Sequence, residues 1–309
     1  MEKQLLFLED IGVAQKEIEA QVRKNNIPFQ IIRDTKNADK NAVEAIVTVK
    51  ETVDKQMIDQ YPHLKVIAVA FTGYDHVDLK ACRNKNIAVY NVPAYATNSV
   101  VELTVGLTIG LLRQIPFAHN TVMNKKWNLN PGNDLSGKTV GIAGTGKIGI
   151  AAAKVFNVFG CNLLGWSRTQ KEAFTELGGQ YVSNLQELCA QSDIVSIHLP
   201  LNDQTKGMVG QKELSAMNDH AFLVNTARGP IVDESALFQV LKEQQIAGAG
   251  IDVFDQEPLP ADHPFRRLDN VILTPHIAYK TEEALIRRAE VTFSNIRHFL
   301  DNNNKNRVD

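Results

Sequence analysis

Short apolar runs rich in β-branched residues alternate with amphipathic helical patterns along almost the whole chain. This alternation is typical of βαβ units, in which helices connect parallel strands and pack on the sheet. The predicted strands fall in two series, 4–8, 29–32, 45–49, 66–71 and 88–91, and then 139–143, 162–166, 180–182, 194–198, 221–225, 247–252 and 271–274. The sequence therefore predicts an α/β protein with two parallel sheets.

The two series indicate two domains, since the chain has 309 residues and a domain commonly has about 150. An apolar helical pattern over 98–113 predicts a helix that leaves the first domain, followed by an irregular arm. The last amphipathic pattern predicts one helix that packs on the first domain. We therefore expect a discontinuous domain of residues 1–97 plus 283–309, a second domain of 98–282, and a cleft between them.

A glycine-rich motif, GTGKIG, follows the first strand of the second series and precedes a helical pattern. At such a turn the motif indicates a dinucleotide site, because glycines permit a tight turn, the approach of a pyrophosphate and close helix packing. The N–H groups at the helix N-terminus then bind the phosphates. The predicted cofactor-binding residues of this motif are Gly144, Gly146, Lys147, Ile148 and Gly149.

The residues after the next strand bear on which dinucleotide is bound. NAD sites usually carry Asp or Glu about 20 residues after the glycines, to accept from the ribose hydroxyls. This chain has Ser167, Arg168 and Thr169 there, which offer hydrogen-bond donors suited to a 2′-phosphate. We therefore expect NADP to be preferred over NAD. The alternative is that Arg168 lies against the adenine and either cofactor binds.

Three polar residues of complementary chemistry, Arg228, Glu257 and His276, each follow one of the last three predicted strands. The carboxyl ends of parallel strands face the ligand crevice, so we expect these side chains to meet there. Hydride transfer on a 2-hydroxy acid needs an acid/base such as histidine, a carboxylate that orients it, and a guanidinium that binds the substrate carboxylate. The sequence has no metal-ligand cluster and no GxSxG elbow, so we expect no metal and no serine nucleophile.

The motifs GTGKIG, NTARGPIVDE, GIDVFDQEP and TPHIAY resemble those of the D-isomer-specific 2-hydroxyacid dehydrogenase family in order and spacing. LKVIAVAFTGYDHVDL and NVPAYATNSVVELTVGLTIGLLR extend the resemblance to the first domain. The resemblance implies two Rossmann-like or flavodoxin-like domains. It also implies that Arg228 binds the substrate, that Glu257 pairs with His276, and that His276 is the acid/base.

The same resemblance implies further cofactor contacts. Thr104 would lie near the nicotinamide, Thr226 and Ala227 would line the cofactor, and Asp252 would contact the nicotinamide carboxamide. For each of these positions, simple packing or capping is the alternative.

The resemblance also implies that the substrate contacts Arg228, His276 and the backbone around Thr72 and Gly73, which would receive its carboxylate. The segments IVTVK and NVPAYATNSVVE resemble those of glycerate dehydrogenases and hydroxypyruvate or glyoxylate reductases in particular. Lys50 of the first segment would reach an anionic substrate, although an exposed loop lysine is usually only solvated. We therefore expect a reductase that uses NADPH on hydroxypyruvate or glyoxylate.

Composition excludes several classes of function. Lys and Arg total 33 against 35 for Asp and Glu, so the chain has no general attraction to nucleic acid or anionic membranes. Three cysteines without a CxxC motif disfavour a disulfide framework and favour a reducing compartment. The apolar run 5–8 is too short for the apolar region of a signal peptide, and the run 100–112 is too short for a membrane span. We expect a cytoplasmic protein, and the resemblance implies a homodimer formed near residues 98–132.

Three alternatives stay open. A D-3-phosphoglycerate dehydrogenase would fit the motifs, but many of these carry a regulatory domain, and this chain ends soon after its last helix. A formate dehydrogenase would pair its histidine with glutamine and not with a residue like Glu257. From another class, the family includes dinucleotide-sensing corepressors, which the near-zero charge and the lack of a nucleic-acid motif disfavour.

Overall fold

The computed structural model describes residues 2–127 and 130–309. Asn128 and Leu129, which fall within the predicted arm, and Met1 lie outside the described residues. The chain divides into two compact units, the first formed by residues 1–96 with Lys280–Asp309 and the second by Thr97–Tyr279.

Helices and strands alternate along both units. The strands are β1 Gln4–Phe7, β2 Gln30–Ile32, β3 Val43–Thr48, β4 Val66–Val69, β5 Ala88–Tyr90, β6 Thr139–Ala143, β7 Asn162–Trp166, β8 Gln180–Tyr181, β9 Ile194–Ile197, β10 Phe222–Asn225, β11 Gly248–Ile251 and β12 Val271–Leu273. The helices are α1 Gln15–Lys24, α2 Lys55–Asp59, α3 Leu79–Asn84, α4 Thr97–Leu112, α5 Ile115–Met123, α6 Lys147–Val158, α7 Glu172–Thr175, α8 Leu185–Gln191, α9 Gln211–Leu214, α10 Glu234–Lys242 and α11 Glu282–Leu300.

The first unit is a five-stranded parallel sheet with the strand order β2-β1-β3-β4-β5. Strands β1 and β4 are buried along their whole length, as expected for parallel strands whose two faces are covered by helices. Helix α11 packs on α1 and β4 and places Phe293 against Phe7, with ring centroids 6.2 Å apart. The first unit therefore combines the first strand of the chain with its last helix.

The second unit is a seven-stranded parallel sheet with the strand order β12-β11-β10-β9-β6-β7-β8. The order reverses between β9 and β6, and ligands of such sheets bind outside the carboxyl ends of the strands at this point. The α/β class with two parallel sheets, predicted from the sequence, is confirmed. Most predicted strands run one or two residues beyond the observed ends.

The segment predicted as an irregular arm begins with a helix, α5. Gln114, with φ +53°, separates it from α4, and Pro116 lies in its first turn, where a proline costs no hydrogen bond. Within the described residues no single helix is long and apolar enough to span a membrane. Helices α4 and α5 reach that length and composition only when they are counted together, and their axes differ in direction by 59°.

Glu9, two residues after β1, fixes the loop that follows β3. Its Oε1 accepts hydrogen bonds from the backbone N–H groups of Glu51, Lys50 and Val49 at 2.7, 2.8 and 2.7 Å, and from the Thr48 hydroxyl at 3.2 Å. Burial raises the pKa of Glu9, but these four hydrogen bonds outweigh it and lower the pKa below its ordinary value of 4.5. The ionised carboxylate therefore holds Lys50 and its neighbours in one conformation.

Glu9→Gln should lower the free energy of unfolding by about 1–2 kcal/mol at neutral pH, because a charged acceptor forms stronger hydrogen bonds than an amide. The folded-state pKa is depressed, so this contribution is present above the unfolded pKa and lost as the pH falls through the folded pKa. Thermal unfolding from pH 7 to 3.5 should show the wild-type advantage in Tm shrinking below about pH 4.5. The exposed control Glu2→Gln should leave Tm unchanged. A Tm difference that stays constant across this pH range would contradict the prediction.

Candidate active site

The glycine loop connects β6 to α6 at the point where the strand order reverses. A Cβ at Gly144, which has φ +102°, would lie 2.6 Å from the carbonyl oxygen of His198, and one at Gly149 would overlap the carbonyl oxygen of Gly144. A Cβ at Gly146 would have no described heavy atom within 4 Å. Two glycines are therefore required by close packing, and the third leaves its side of the loop open to a ligand.

The N-terminus of α6 adds hydrogen-bond donors to this open face. Gly146 is the N-cap, and the first helical hydrogen bond is from Ile150 N–H to Gly146 at 2.9 Å. The N–H groups of Lys147, Ile148 and Gly149 precede it and have no intrahelical partner. Backbone donors beside an open glycine fit the pyrophosphate of a dinucleotide.

Ser167, Arg168 and Thr169 directly follow β7, the neighbour of β6 in the sheet. Arg168 and Thr169 are exposed, and Ser167 is half-buried. They are thus accessible at the same edge of the sheet as the glycine loop. No Asp or Glu stands among them to accept from a ribose hydroxyl.

His276 and Glu257 form a pair. Nδ1 of His276 lies 2.6 Å from Oε2 of Glu257, and Oε1 of Glu257 accepts from Phe254 N–H at 3.2 Å. The exposed fractions of the two side chains are 12% and 29%, so the pair is partly shielded but accessible. This contact fixes the plane of the imidazole ring and directs Nε2 away from the carboxylate.

Asp252, just after β11, organises the loop that carries His276. Its Oδ1 accepts from the Thr274 hydroxyl at 2.6 Å and Ile277 N–H at 2.9 Å, and Oδ2 accepts from Ala278 N–H at 2.9 Å. Burial raises the pKa of Asp252, and these hydrogen bonds oppose that rise. Both carboxylate oxygens are therefore engaged within the chain, and the expected contact with the nicotinamide carboxamide stays a prediction.

Arg228 stands on a loop that Asn225, the last residue of β10, holds in place. The Asn225 side chain donates to the carbonyl oxygen of Arg228 at 2.9 Å and accepts from Ala227 N–H at 3.0 Å. The half-buried guanidinium of Arg228 donates to the Ala227 carbonyl at 2.8 Å. Sequence reasoning missed Asn225, although an asparagine that directly ends a strand is a signal for such a local turn.

Gly229 brings the Arg228 loop into contact with the loop that bears Glu257. A Cβ at Gly229 would overlap the carbonyl group of Phe254 and lie 2.6 Å from the backbone nitrogen of Asp255. The two loops therefore touch through their backbones. Together with the Glu257–His276 pair, this contact gathers the three predicted catalytic residues at one edge of the second unit.

Two predicted cofactor contacts of the second unit, Thr104 and Thr226, bind each other. The hydroxyls of Thr104 and Thr226 are 2.9 Å apart, and Thr104 also donates to the Val100 carbonyl at 2.8 Å. Thr104 is completely buried, so in this structure it anchors α4 to the end of β10. The ring of Tyr279, which sequence reasoning did not single out, packs edge-on against His276 with centroids 5.7 Å apart.

The predicted substrate contacts Lys50, Thr72 and Gly73 belong to the first unit and follow β3 and β4. Lys50 is exposed. The Thr72 hydroxyl donates to the Val92 carbonyl at 2.9 Å, and Asn91 donates to the Thr72 carbonyl at 2.7 Å. All three residues lie at the carboxyl edge of the first sheet, the edge at which sheets of this kind bind ligands.

Comparisons with known proteins agree on one family. The family model described as D-isomer specific 2-hydroxyacid dehydrogenase, NAD binding domain, matches residues 105–278. The glyoxylate reductase of Thermofilum pendens is 40% identical over 265 residues, which are 84% of this chain and 78% of the relative.

Two solved structures share the fold over nearly their whole length. The D-lactate dehydrogenase of Aquifex aeolicus, complexed with NAD and lactic acid, is 28% identical with a TM-score of 0.87 and 99% of both chains covered. The NADPH-dependent glyoxylate/hydroxypyruvate reductase of Sinorhizobium meliloti, in complex with NADP and malonate, is 26% identical with a TM-score of 0.86, covering 97% of this chain and 94% of the other.

Gly229→Ala should lower the free energy of unfolding by about 1–3 kcal/mol, because the added Cβ forces two backbone segments apart. Urea denaturation would measure the loss. The matched control is Gly106→Ala, within α4, where a Cβ meets no described heavy atom within 4 Å. Replacing a helical glycine with alanine stabilises by about 0.5–1 kcal/mol, so the two variants should move in opposite directions. Equal effects would show that the contact at Gly229 is dispensable.

Proposed function

The chain belongs to the D-isomer-specific 2-hydroxyacid dehydrogenase family, and from this premise we propose that it reduces glyoxylate or hydroxypyruvate with NADPH. Members of the family are oxidoreductases that use a nicotinamide dinucleotide. The observation that carries the proposal is the 2.6 Å contact between His276 and Glu257, beside the loop of Arg228. The similarity to glyoxylate reductases favours these two keto acids as substrates.

The glycine loop 144–149 would hold a nicotinamide dinucleotide, which would supply the hydride for reduction at C2 of the keto acid. Arg228 binds the substrate carboxylate and polarises the neighbouring carbonyl, two roles that suit a planar guanidinium. His276 delivers a proton from Nε2 to the carbonyl oxygen, and it takes that proton back in the reverse direction. Glu257 accepts from Nδ1, which sets the tautomer and balances the positive charge of the protonated ring.

The proposed cofactor preference rests on Ser167, Arg168 and Thr169. An exposed arginine with two neighbouring hydroxyls suits a 2′-phosphate, whereas the usual acidic partner of the ribose hydroxyls is missing. NAD is the alternative cofactor. The glycine loop serves both dinucleotides, because the pyrophosphate is common to them.

We assign dinucleotide binding to the second unit, and to the first unit a share in substrate recognition beside Arg228 and His276. Lys50, Thr72 and Gly73 are the proposed contacts of the first unit with an anionic substrate. Glu9 supports this assignment, because it holds the Lys50 loop at the carboxyl edge of its sheet through three backbone N–H groups.

A second copy of the chain is the proposed partner. Ile115, Val122, Met123 and Trp127 are each more than half exposed, on α5 or just after it. Large apolar side chains gathered on a surface mark a protein interface. The segment coincides with residues 98–132, through which the family resemblance implies dimerisation.

The proposed activity is tested by initial rates of absorbance loss with NADPH and with NADH. The keto acids compared are glyoxylate, hydroxypyruvate, pyruvate, 2-oxoglutarate and phosphohydroxypyruvate. We expect glyoxylate or hydroxypyruvate with NADPH to be fastest. Fastest turnover of phosphohydroxypyruvate would instead indicate a phosphoglycerate dehydrogenase. No turnover despite measurable dinucleotide binding would contradict the proposal and favour a dinucleotide-sensing protein.

His276→Gln should lower kcat by about 100-fold or more, because general acid–base catalysis contributes that much and glutamine cannot transfer the proton. The Kd for NADPH, measured by nucleotide fluorescence, should change less than twofold. His220→Gln, at an exposed histidine of the same unit, is the matched control and should leave kcat unchanged. A nearly normal kcat in His276→Gln would disprove the acid/base assignment.

Arg168→Gln should raise the Kd for NADPH about 10-fold or more, since a charge-assisted contact to phosphate is lost. The Kd for NADH should stay within twofold. Lys171→Gln removes a positive charge from an exposed side chain three residues away and serves as the control. An equal rise in both Kd values for Arg168→Gln would indicate that the guanidinium contacts the adenine.

Replacing Val122 and Met123 together with glutamate should convert a dimer to a monomer, because it places charges in the apolar interface. Sedimentation velocity would measure the change. Ile286→Glu is the control, since Ile286 is also exposed but belongs to α11 of the other unit. A monomeric wild type, or a double variant that stays dimeric, would refute this interface.

A further inference from the structure

We propose that Tyr181 is a positioning residue for the discrimination of NADPH from NADH, because its hydroxyl joins the glycine loop to the loop that bears Arg168. This role rests on the NADPH preference proposed above. Tyr181 belongs neither to the glycine motif nor to residues 167–169. It lies on the two-residue edge strand β8.

One oxygen atom makes both connections. The Tyr181 hydroxyl accepts a hydrogen bond from Lys171 N–H at 2.9 Å and lies 2.7 Å from the hydroxyl of Thr145, the second residue of the glycine motif. Thr145 is 1% exposed, so its hydroxyl has little access to water. The phenol therefore couples the segment that faces the pyrophosphate to the end of the segment that carries Arg168.

The position of Tyr181 is itself well defined. Its backbone pairs with Gly165 of β7, and its ring packs on the buried ring of Phe174 with centroids 5.1 Å apart. Phe174 fills the space over Gly165 and Gly179, where an added Cβ would meet its ring. The residues 167–171 are thus held at one end by β7 and at the other by Tyr181 and Phe174.

This arrangement affects the two cofactors differently. The adenosine ribose fixes the separation between the pyrophosphate and the 2′-phosphate of NADPH, so both contacts form together only if the two loops keep a matching separation. NADH has no 2′-phosphate and needs only the glycine loop. Without the Tyr181 hydroxyl, Arg168 must be ordered when NADPH binds, and that entropic cost falls on NADPH alone.

The test compares the Kd values of NADPH and NADH, measured by nucleotide fluorescence, in the wild type and in Tyr181→Phe. Two neutral hydrogen bonds are lost, so we expect the Kd for NADPH to rise about 5- to 10-fold and that for NADH less than twofold. Tyr90→Phe is the matched control, because Tyr90 is a buried tyrosine of the first unit whose hydroxyl donates to the Asn303 carbonyl at 2.9 Å. It should leave both Kd values unchanged.

A second comparison shows whether Tyr181 acts through Arg168. In the Arg168→Gln background, Tyr181→Phe should have no further effect on the ratio of the two Kd values. Thr145→Val removes the other partner of the Thr145–Tyr181 hydrogen bond and should shift the ratio of the two Kd values in the same direction. This variant provides the test if Tyr181→Phe does not fold.

Two results would overturn the inference. Equal increases in both Kd values, or none, would show that Tyr181 only supports the fold. A shift in ratio that persists undiminished in the Arg168→Gln background would show that it acts on another group. The proposed preference for NADPH is tested separately, by the ratio of the two Kd values in the wild type. A wild-type ratio near one would contradict that preference and, with it, this role of Tyr181.

Discussion

The proposed chemistry depends on the hydrogen bonds that the buried carboxylate of Asp252 accepts. Burying a charge is costly unless hydrogen bonds replace the lost water, and here Thr274, Ile277 and Ala278 supply them. The same loop places His276 in the left-handed region, φ +51°, which costs a non-glycine residue on the order of 1 kcal/mol. The carboxylate and the loop therefore stabilise each other, and the histidine is held in a conformation that it would not adopt alone.

The two units contribute different kinds of residue. In the second unit, Arg228, Glu257 and His276 stand on loops that are fixed by backbone packing and buried hydrogen bonds. In the first unit, the proposed contacts Lys50 and Thr72 are exposed at the edge of the sheet. Under the proposed division, substitutions in the first unit would change the substrate contacts and leave the acid/base pair untouched.

Local patterns in the sequence predicted the parallel sheets and the glycine loop, because strand periodicity and glycine spacing are determined within a few residues. The pairing of Glu257 with His276 was also predictable, since parallel strands bring their carboxyl ends to one edge. Two features had no such signal. The contact of Gly229 is between backbones and leaves no side-chain pattern. The bridge of Tyr181 depends on a two-residue strand and on Thr145, which lies 36 residues earlier in the chain. Helix α5 was missed because the polar stretch with Trp127, Pro131 and Gly132 indicated an irregular arm.

The discontinuity of the first unit has a consequence for biosynthesis. The second unit is one uninterrupted stretch, Thr97–Tyr279, so all of its residues are made before α11, which the first unit requires. The first strand is made before the second unit, but its partner Phe293 on α11 is made only after it. We therefore expect the first unit to finish folding after the second, because one apolar face of its sheet stays uncovered until α11 is made.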